Sequence, residues 1–251
     1  MTGHLDDQLL KEFMHKFYGY GNYNGRYWFV GMEEGGGLRE VVAKKLEVWV
    51  GRGKRELEDL KENHNEIGRK VKIPDFFSEN AKIQSTWKWL IRILLSVEDP
   101  DLDALNDREQ VRKYQKESLG ESRGCHCLVE LLPLPSQSKK VWHYSEYSSL
   151  PCLSSRQQYE EEYLPLRIEH LRKRIDKYKP RAVIFYGSTY WDHWKSIARV
   201  DFRKKEYSGK DAYFGHNGTT LFVITQHPVA RGVTKKYFHQ VGKAIAREMK
   251  H

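Results

Sequence analysis

Four short apolar runs recur along the chain, and polar or helix-patterned stretches separate them. They occupy 27–30, 128–132, 182–186 and 220–225. Continuous apolar runs of this length are typical of strands that are buried on both faces, as in a parallel sheet. The pattern therefore predicts an α/β fold, in which a mainly parallel four-stranded central sheet is the middle of three α/β/α layers.

Between these runs, apolar residues recur at steps of three and four, which is the helical period. The pattern predicts five helices, at 5–18, 80–96, 164–178, 189–198 and 234–249. Two charged stretches, 52–72 and 98–123, lack it and are interpreted as surface inserts in a single domain of 1–251. Asn217-Gly218 predicts a tight turn that leads into the last strand.

Charge is the feature of the composition that bears on partners. The net charge is +9, and the segment 231–251 carries six Lys or Arg residues against one acid, Glu248. A basic face attracts the phosphate backbone of nucleic acids, whereas the plain alternative is a solvated helix face. No apolar run reaches the about 18 to 20 residues of a membrane span, and the first ten residues lack the apolar core of a signal peptide. We expect a cytoplasmic protein with no membrane partner and no obligate protein partner.

The three cysteines give little evidence of a metal or disulfide framework. Their odd number argues against paired disulfides in a cytoplasmic chain. Cys125-His126-Cys127 suggests a metal site, but zinc-binding pairs usually stand about two to four residues apart. The alternative is a pair of thiols at the start of a buried strand. We predict neither a metal nor another cofactor.

The first strand is followed by two acids and three glycines, Glu33-Glu34-Gly35-Gly36-Gly37. Glycines let a ligand approach the backbone closely and expose N–H groups that can cradle an anion. The segment matches neither the Walker loop nor the dinucleotide-binding pattern. A flexible loop with two solvated acids is the alternative interpretation.

Two further polar residues stand in or just after apolar strands. Glu130 lies within Leu128-Val129-Glu130-Leu131-Leu132, where a carboxylate is costly unless it is bonded or faces a polar cleft. It is either a residue facing water at the sheet edge or a rigidly held acceptor for a ligand. His227 follows the last strand and precedes Pro228, where it can donate to a ligand oxygen or serve a structural role. Parallel strands bring their carboxyl ends to one edge of a sheet, so these groups are expected to meet there.

Taken together and in this order, the motifs resemble those of the uracil-DNA glycosylase superfamily. Gly31-Met32-Glu33-Glu34-Gly35 matches its first motif, Glu130 with the prolines at 133 and 135 its second, and His227-Pro228 its third. The resemblance spans roughly 27–245, and each motif alone is short. The departures are two glutamates in the first motif, Val229 in place of serine, and a glutamate where a uracil reader has asparagine. The four cysteines of the iron–sulfur branches are missing.

The resemblance implies a uracil-DNA glycosylase-like fold and a role for each matching residue. Glu33, Glu34 and His227 would be catalytic, the two acids by stabilising a cationic sugar and orienting water, and the histidine by bonding the departing base. Glu130, Met32 and Gly35 would bind the base. The residues expected to contact double-stranded DNA are Gly36, Gly37, Ser188, Pro228, Arg231, Gly232, Lys235 and Lys236.

The acid at 130 bears on the base that is recognised. An ionised carboxylate only accepts hydrogen bonds, so it suits the exocyclic amine of cytosine and is repelled by a uracil oxygen. We therefore expect a modified cytosine-type base, since excision of plain cytosine would destroy the host genome. The branch that looks most similar is that of bacterial anti-phage glycosylases acting on glucosylated hydroxymethylcytosine. Two other hypotheses stay open: a non-catalytic nucleic-acid-binding protein with this fold, and a nucleoside hydrolase.

Overall fold

The computed structural model describes residues 4–102, 107–138 and 140–250, so residues 103–106 of the predicted insert at 98–123 lie outside it. These residues form one eight-stranded mixed sheet with helices around it, in the strand order β3-β1-β4-β2-β5-β8-β7-β6. The strands are β1 (Gly19–Gly21), β2 (Tyr27–Gly31), β3 (Leu57–Glu58), β4 (His126–Glu130), β5 (Ala182–Tyr186), β6 (Arg203–Tyr207), β7 (Lys210–His216) and β8 (Leu221–Thr225).

The helices fill the connections between the strands. They are α1 (Asp7–Lys16), α2 (Arg39–Gly51), α3 (Leu60–Lys70), α4 (Trp87–Glu98), α5 (Arg108–Glu117), α6 (Tyr144–Tyr147), α7 (Arg156–Tyr178), α8 (Trp191–Ala198) and α9 (Lys235–Glu248). Within the described ranges, no helix is long and apolar enough to cross a membrane.

The four strands predicted from the apolar runs are the inner strands of this sheet. β4, β2, β5 and β8 lie side by side and are parallel. All residues of β2, β5 and β8 are buried, and because alternate side chains point to opposite faces, both faces of the sheet are covered. The α/β class is thus confirmed.

The predicted strand count of four is wrong, because strands were added at both ends of the sheet. β1 is a three-residue Gly-Tyr-Gly strand and β3 has two residues, too short for a periodic signal. β6 is the charged sequence Arg-Lys-Lys-Glu-Tyr, which forms the outer edge strand and pairs only with β7. The apolar pattern detects long buried strands, and these very short or charged strands escape it. The turn at Asn217-Gly218 does join β7 to β8, as predicted.

Two helix predictions need their bounds corrected. The helix expected at 80–96 begins at Trp87, because Gln84 turns its side chain back to accept from the backbone N–H groups of Thr86 and Trp87. The helix expected from 164 begins instead at Arg156, behind the cap of Ser155. The stretch 52–72, interpreted as an insert, supplies β3 and α3, and β3 pairs with β1.

A buried arginine on α7 fixes the position of the end of β4. Arg167 is 1% exposed. Its guanidinium donates to the carbonyl oxygens of Glu130 (2.8 Å) and Leu131, and to those of Met14 (3.1 Å) and Phe17 (2.9 Å) at the end of α1. One cation therefore ties α7, α1 and β4 together, and it satisfies carbonyl groups that no regular ladder serves.

We expect Arg167→Met to destabilise the protein by at least about 3 kcal/mol, because it leaves several buried carbonyls without a donor. The measurement is the free energy of unfolding from urea denaturation. Lys173→Met on the same helix is the matched control, because Lys173 is exposed and makes only a surface ion pair with Glu169. That variant should stay within about 0.5 kcal/mol of wild type. Equal losses in the two variants would contradict the role given to Arg167.

Candidate active site at the carboxyl edge of the sheet

The loops that follow β2 and β4 are joined by backbone hydrogen bonds beyond the strands. Leu131 and Leu132 donate to the carbonyl oxygens of Gly31 (2.8 Å) and Met32 (2.7 Å), and Ser136 donates to that of Glu34 (2.9 Å). The loop with the two acids is therefore held against the loop that follows Glu130, which brings the first and second motifs together.

Glu130 extends from the last position of β4 toward Tyr186 at the last position of β5. The Tyr186 hydroxyl donates to Glu130 Oε1 at 2.8 Å. Their hydrogen bond crosses the space above Gly31, where a Cβ atom would clash with the Tyr186 hydroxyl and with Glu130 Oε2. The glycine of the first motif is thus needed for close approach, and only a residue without a side chain fits between the two strands.

The two acids of the first loop are each held by a different cation. Glu34 Oε2 accepts from Lys45 Nζ of α2 at 2.7 Å, and Glu33 Oε2 accepts from Arg156 Nη2 of α7 at 2.7 Å. Glu33 is the more enclosed, with 10% of its side chain exposed against 27% for Glu34. Oε1 of Glu34 is buried and has no hydrogen-bond partner among the described residues.

Glu130 has no cation of its own. Its Oε2 is also buried and without a hydrogen-bond partner in the described part of the chain. Burial and then the neighbouring charge of Glu34 raise the pKa of Glu130 to about 8, although the Tyr186 hydroxyl opposes the shift. The sequence argument took this carboxyl group as ionised. A pKa of about 8 instead favours the protonated form of this group near neutral pH.

His227 lies on the other side of Tyr186, two residues beyond the end of β8. The two rings are 6.0 Å apart at their centroids, and the ring also lies close to Gly187. Burial lowers the pKa of His227, so the imidazole is neutral near neutral pH. The Val229 N–H donates to Nδ1 at 3.3 Å. Since Nδ1 accepts, the proton of the neutral ring is on Nε2, which leaves Nε2 as a donor.

The other residues of the first loop divide into exposed and structural positions. Gly35 and Gly36 are exposed, and a Cβ built on either would meet nothing within 4 Å. Gly37 is buried with φ +102°, and a Cβ there would clash with the carbonyl oxygen of Pro135. Met32 is also buried within the core. Gly35 and Gly36 thus have the open backbone that a ligand needs, whereas Gly37 and Met32 serve packing.

The expected DNA contacts outside the first loop comprise exposed residues and more enclosed ones. Arg231, Gly232 and Lys236 are exposed in or after the loop that follows His227. Lys235 makes an ion pair with buried Asp107 (3.7 Å), so it anchors the start of α9. The remaining expected contacts outside the first loop are more enclosed. Pro228 is buried, and the Ser188 hydroxyl donates to Gln226 (3.3 Å).

The Cys-His-Cys segment has a structural explanation. His126 is buried, its Nε2 accepts from the Gly120 N–H at 3.0 Å, and burial lowers its pKa to about 4. Cys127 is buried in β4, and the hydroxyl of Tyr114 lies beside His126 and Cys125. These contacts fit the alternative interpretation, in which the two thiols lie at the start of a buried strand.

Sequence reasoning missed Lys45, Arg156 and the buried Arg167 as parts of the site, and it gave no role to Tyr186 at the end of the third apolar run. A signal was present in the helical pattern. Lys45 lies on the buried face of α2 with Val42, Leu46 and Trp49, and its ammonium group lies 4.8 Å from the centroid of the Phe17 ring. A cation at a core position of an amphipathic helix indicates a buried anion nearby.

No protein-family model matches the chain, and no curated protein matches it. The groups available at this edge of the sheet are one neutral carboxyl group, two carboxyl groups in ion pairs and one neutral imidazole. Such a set can accept and donate hydrogen bonds to a heterocycle and can stabilise positive charge beside it.

We expect Glu130→Gln to change the pH dependence of stability. A carboxyl group whose pKa rises from 4.5 when unfolded to about 8 when folded costs stability as the pH rises through that interval. The variant should therefore gain over wild type by a few kcal/mol between about pH 5 and about pH 9, at about 1.4 kcal/mol per pKa unit. Urea denaturation at several pH values measures this gain. Glu161→Gln, at an exposed position, is the control, and a Glu130→Gln difference that is constant with pH would refute the shift.

Proposed function

We propose that the protein is a DNA glycosylase that hydrolyses the N-glycosidic bond of a flipped, modified cytosine-type base and leaves an abasic site. Glucosylated hydroxymethylcytosine in phage DNA is the substrate that the resemblance suggests. The observation that carries the proposal is the convergence of Glu34, Glu130 and His227 around Tyr186 at one sheet edge. Glu34 and Glu130 each have a buried carboxyl oxygen with no hydrogen-bond partner among the described residues, which is where a polar ligand gains most.

The proposed reaction follows from the charges of these groups. The flipped nucleotide enters the site, and its glycosidic bond breaks with the electron pair leaving on the base. His227 Nε2–H donates to the oxygen of the departing base as negative charge develops there. The sugar becomes an oxocarbenium-like cation, which an adjacent carboxylate stabilises. Water then adds to the anomeric carbon and loses a proton, and the products are the free base and an abasic sugar.

Glu34 is proposed as the principal carboxylate. It is more exposed than Glu33 and has one oxygen unpartnered, and its charge acts more strongly than that of Glu33 on Glu130. Glu33 lies against Arg156, which also pairs with Glu160 of its own helix at 2.7 Å. We therefore assign Glu33 to holding the first loop against α7.

The loop after His227 is proposed to enter the duplex. Val229 is 59% exposed, and Arg231 follows two residues later in the same exposed loop. An apolar side chain inserted into the stack can fill the gap left by an everted base, while a cation contacts phosphate.

The direct test is incubation of the protein with phage DNA that carries glucosylated hydroxymethylcytosine and with matched unmodified DNA. Mass spectrometry should detect the free modified base, and an aldehyde-reactive probe should detect abasic sites in the modified DNA alone. Release from free nucleosides with little salt dependence would favour a nucleoside hydrolase. Tight DNA binding without release of any base would favour a non-catalytic binding protein.

We expect Glu34→Gln to lower the single-turnover rate of base release by about 100-fold or more, because it removes electrostatic stabilisation of the cation. DNA affinity should change little. Glu33→Gln should lose less, and Glu161→Gln at an exposed position of α7 should be unaffected. A Glu34→Gln rate near that of wild type would remove this residue from the mechanism.

We expect Val229→Ala to lower base release from duplex DNA by about 10-fold, a loss of about 1.4 kcal/mol in flipping, with little effect on single-stranded DNA. The measurement is the ratio of the two single-turnover rates. Val50→Ala is the matched control, because Val50 is an exposed valine on α2. Equal losses on single and double strands would show that Val229 does not act as a wedge.

A further inference from the structure

The carboxyl groups of Glu34 and Glu130 compete for a single nearby cation. Lys45 Nζ lies 2.7 Å from Glu34 Oε2, whereas Glu130 receives its side-chain hydrogen bond from the neutral hydroxyl of Tyr186. The ammonium group of Lys45 is itself enclosed by the rings of Phe13, Phe17 and Tyr20, which hold it in this position. The negative charge of Glu34 opposes a second charge on Glu130.

The groups around Glu130 come from every element that packs against it. None supplies a direct cationic partner for its carboxyl oxygens in the described residues, because Arg167 bonds only its main-chain oxygen. The titratable and charged neighbours are Tyr20 of β1, Glu33 and Glu34 after β2, Lys45 of α2, Arg167 of α7, Tyr186 of β5, Tyr190 after β5 and, beyond Tyr186, His227 after β8.

We propose that Glu130 reads the base as a neutral carboxylic acid, with Oε2 donating to an acceptor atom of the base edge and Oε1 accepting from a neighbouring N–H group. This inference rests on the proposed glycosylase function. Tyr186 already donates to Oε1, which therefore serves as the carbonyl oxygen, so the proton belongs on the unpartnered Oε2. The base-reading group is thus a donor and an acceptor side by side.

This arrangement changes how a cytosine-type base is recognised. Its edge presents the ring nitrogen N3 as an acceptor beside the amine on C4 as a donor. A neutral Glu130 makes two hydrogen bonds to that pair, whereas an ionised one makes a single bond to the amine and faces the N3 lone pair. A uracil-type edge offers the same two groups in reversed order, so its N3–H donor would face the proton on Oε2. A Glu130 held in this way therefore favours the cytosine-type edge, and contacts with the substituent must select the modification.

The test compares wild type with Glu130→Gln and Glu130→Leu in single-turnover base release from one modified duplex, between about pH 6 and about pH 9.5. Glutamine keeps a donor beside an acceptor and cannot ionise. We expect it to stay within about 10-fold of wild type near neutral pH and to remain flat, while the wild-type rate falls toward 10-fold per pH unit at the alkaline end. Leucine, which has neither group, should lose about 100-fold or more.

Three results would overturn the inference: a wild-type rate that stays flat to the alkaline limit, a Glu130→Gln rate as low as that of Glu130→Leu, or the same alkaline loss in Glu130→Gln. A second measurement does not depend on activity. The infrared difference spectrum of the free protein should show the carbonyl stretch of a protonated carboxyl group near neutral pH, and Glu130→Gln should lack it. If wild type releases no base from any DNA, the glycosylase proposal fails, while the spectrum still decides where the proton is.

Discussion

The site depends on one buried cation, Arg167, which forms no salt bridge with any residue that the structure describes. The guanidinium of Arg167 donates hydrogen bonds to main-chain oxygens at the ends of β4 and α1. Its Cζ atom also lies 3.6 Å from the centroid of the Tyr18 ring. Because its partners are carbonyl groups rather than a carboxylate, the position of the backbone at Glu130 is set by a rigid fork of donors. The Glu130 side chain then extends from a point that cannot shift without breaking several bonds at once.

From that fixed point, the distribution of charge decides what each acid can do. Lys45 and Arg156 each take one acid of the first loop, and Glu130 is left with a neutral hydroxyl. In the proposed function, the three glutamates at this sheet edge therefore take three different roles: a carboxylate beside the reacting sugar, a structural ion pair and a neutral acid. Environments that separate the pKa values of similar groups are typical of acid and base chemistry in enzymes.

Much of the fold could be predicted because the apolar signal is local. Each inner strand is a continuous apolar run, and the turn at Asn217-Gly218 has its own sequence signature. The outer strands could not be predicted in this way, because β1 and β3 are very short and β6 is mostly charged. The start of α4 was also mispredicted. The Gln84 side chain accepts hydrogen bonds from the backbone N–H groups of Thr86 and Trp87, so the helix begins later than the apolar period indicates.

The sequence alone determined the class of the fold, the order of the strand-end motifs and the meeting of Glu34, Glu130 and His227 at one edge, because parallel strands carry their loops to the same side. Only the tertiary structure decided which acid is charged. Protonation depends on the nearest cation and on exclusion of water, and both are contributed by residues of other elements, such as Lys45 of α2 and Tyr186 of β5. The sequence pattern does not show these contacts, and for this reason the sequence argument took Glu130 as ionised.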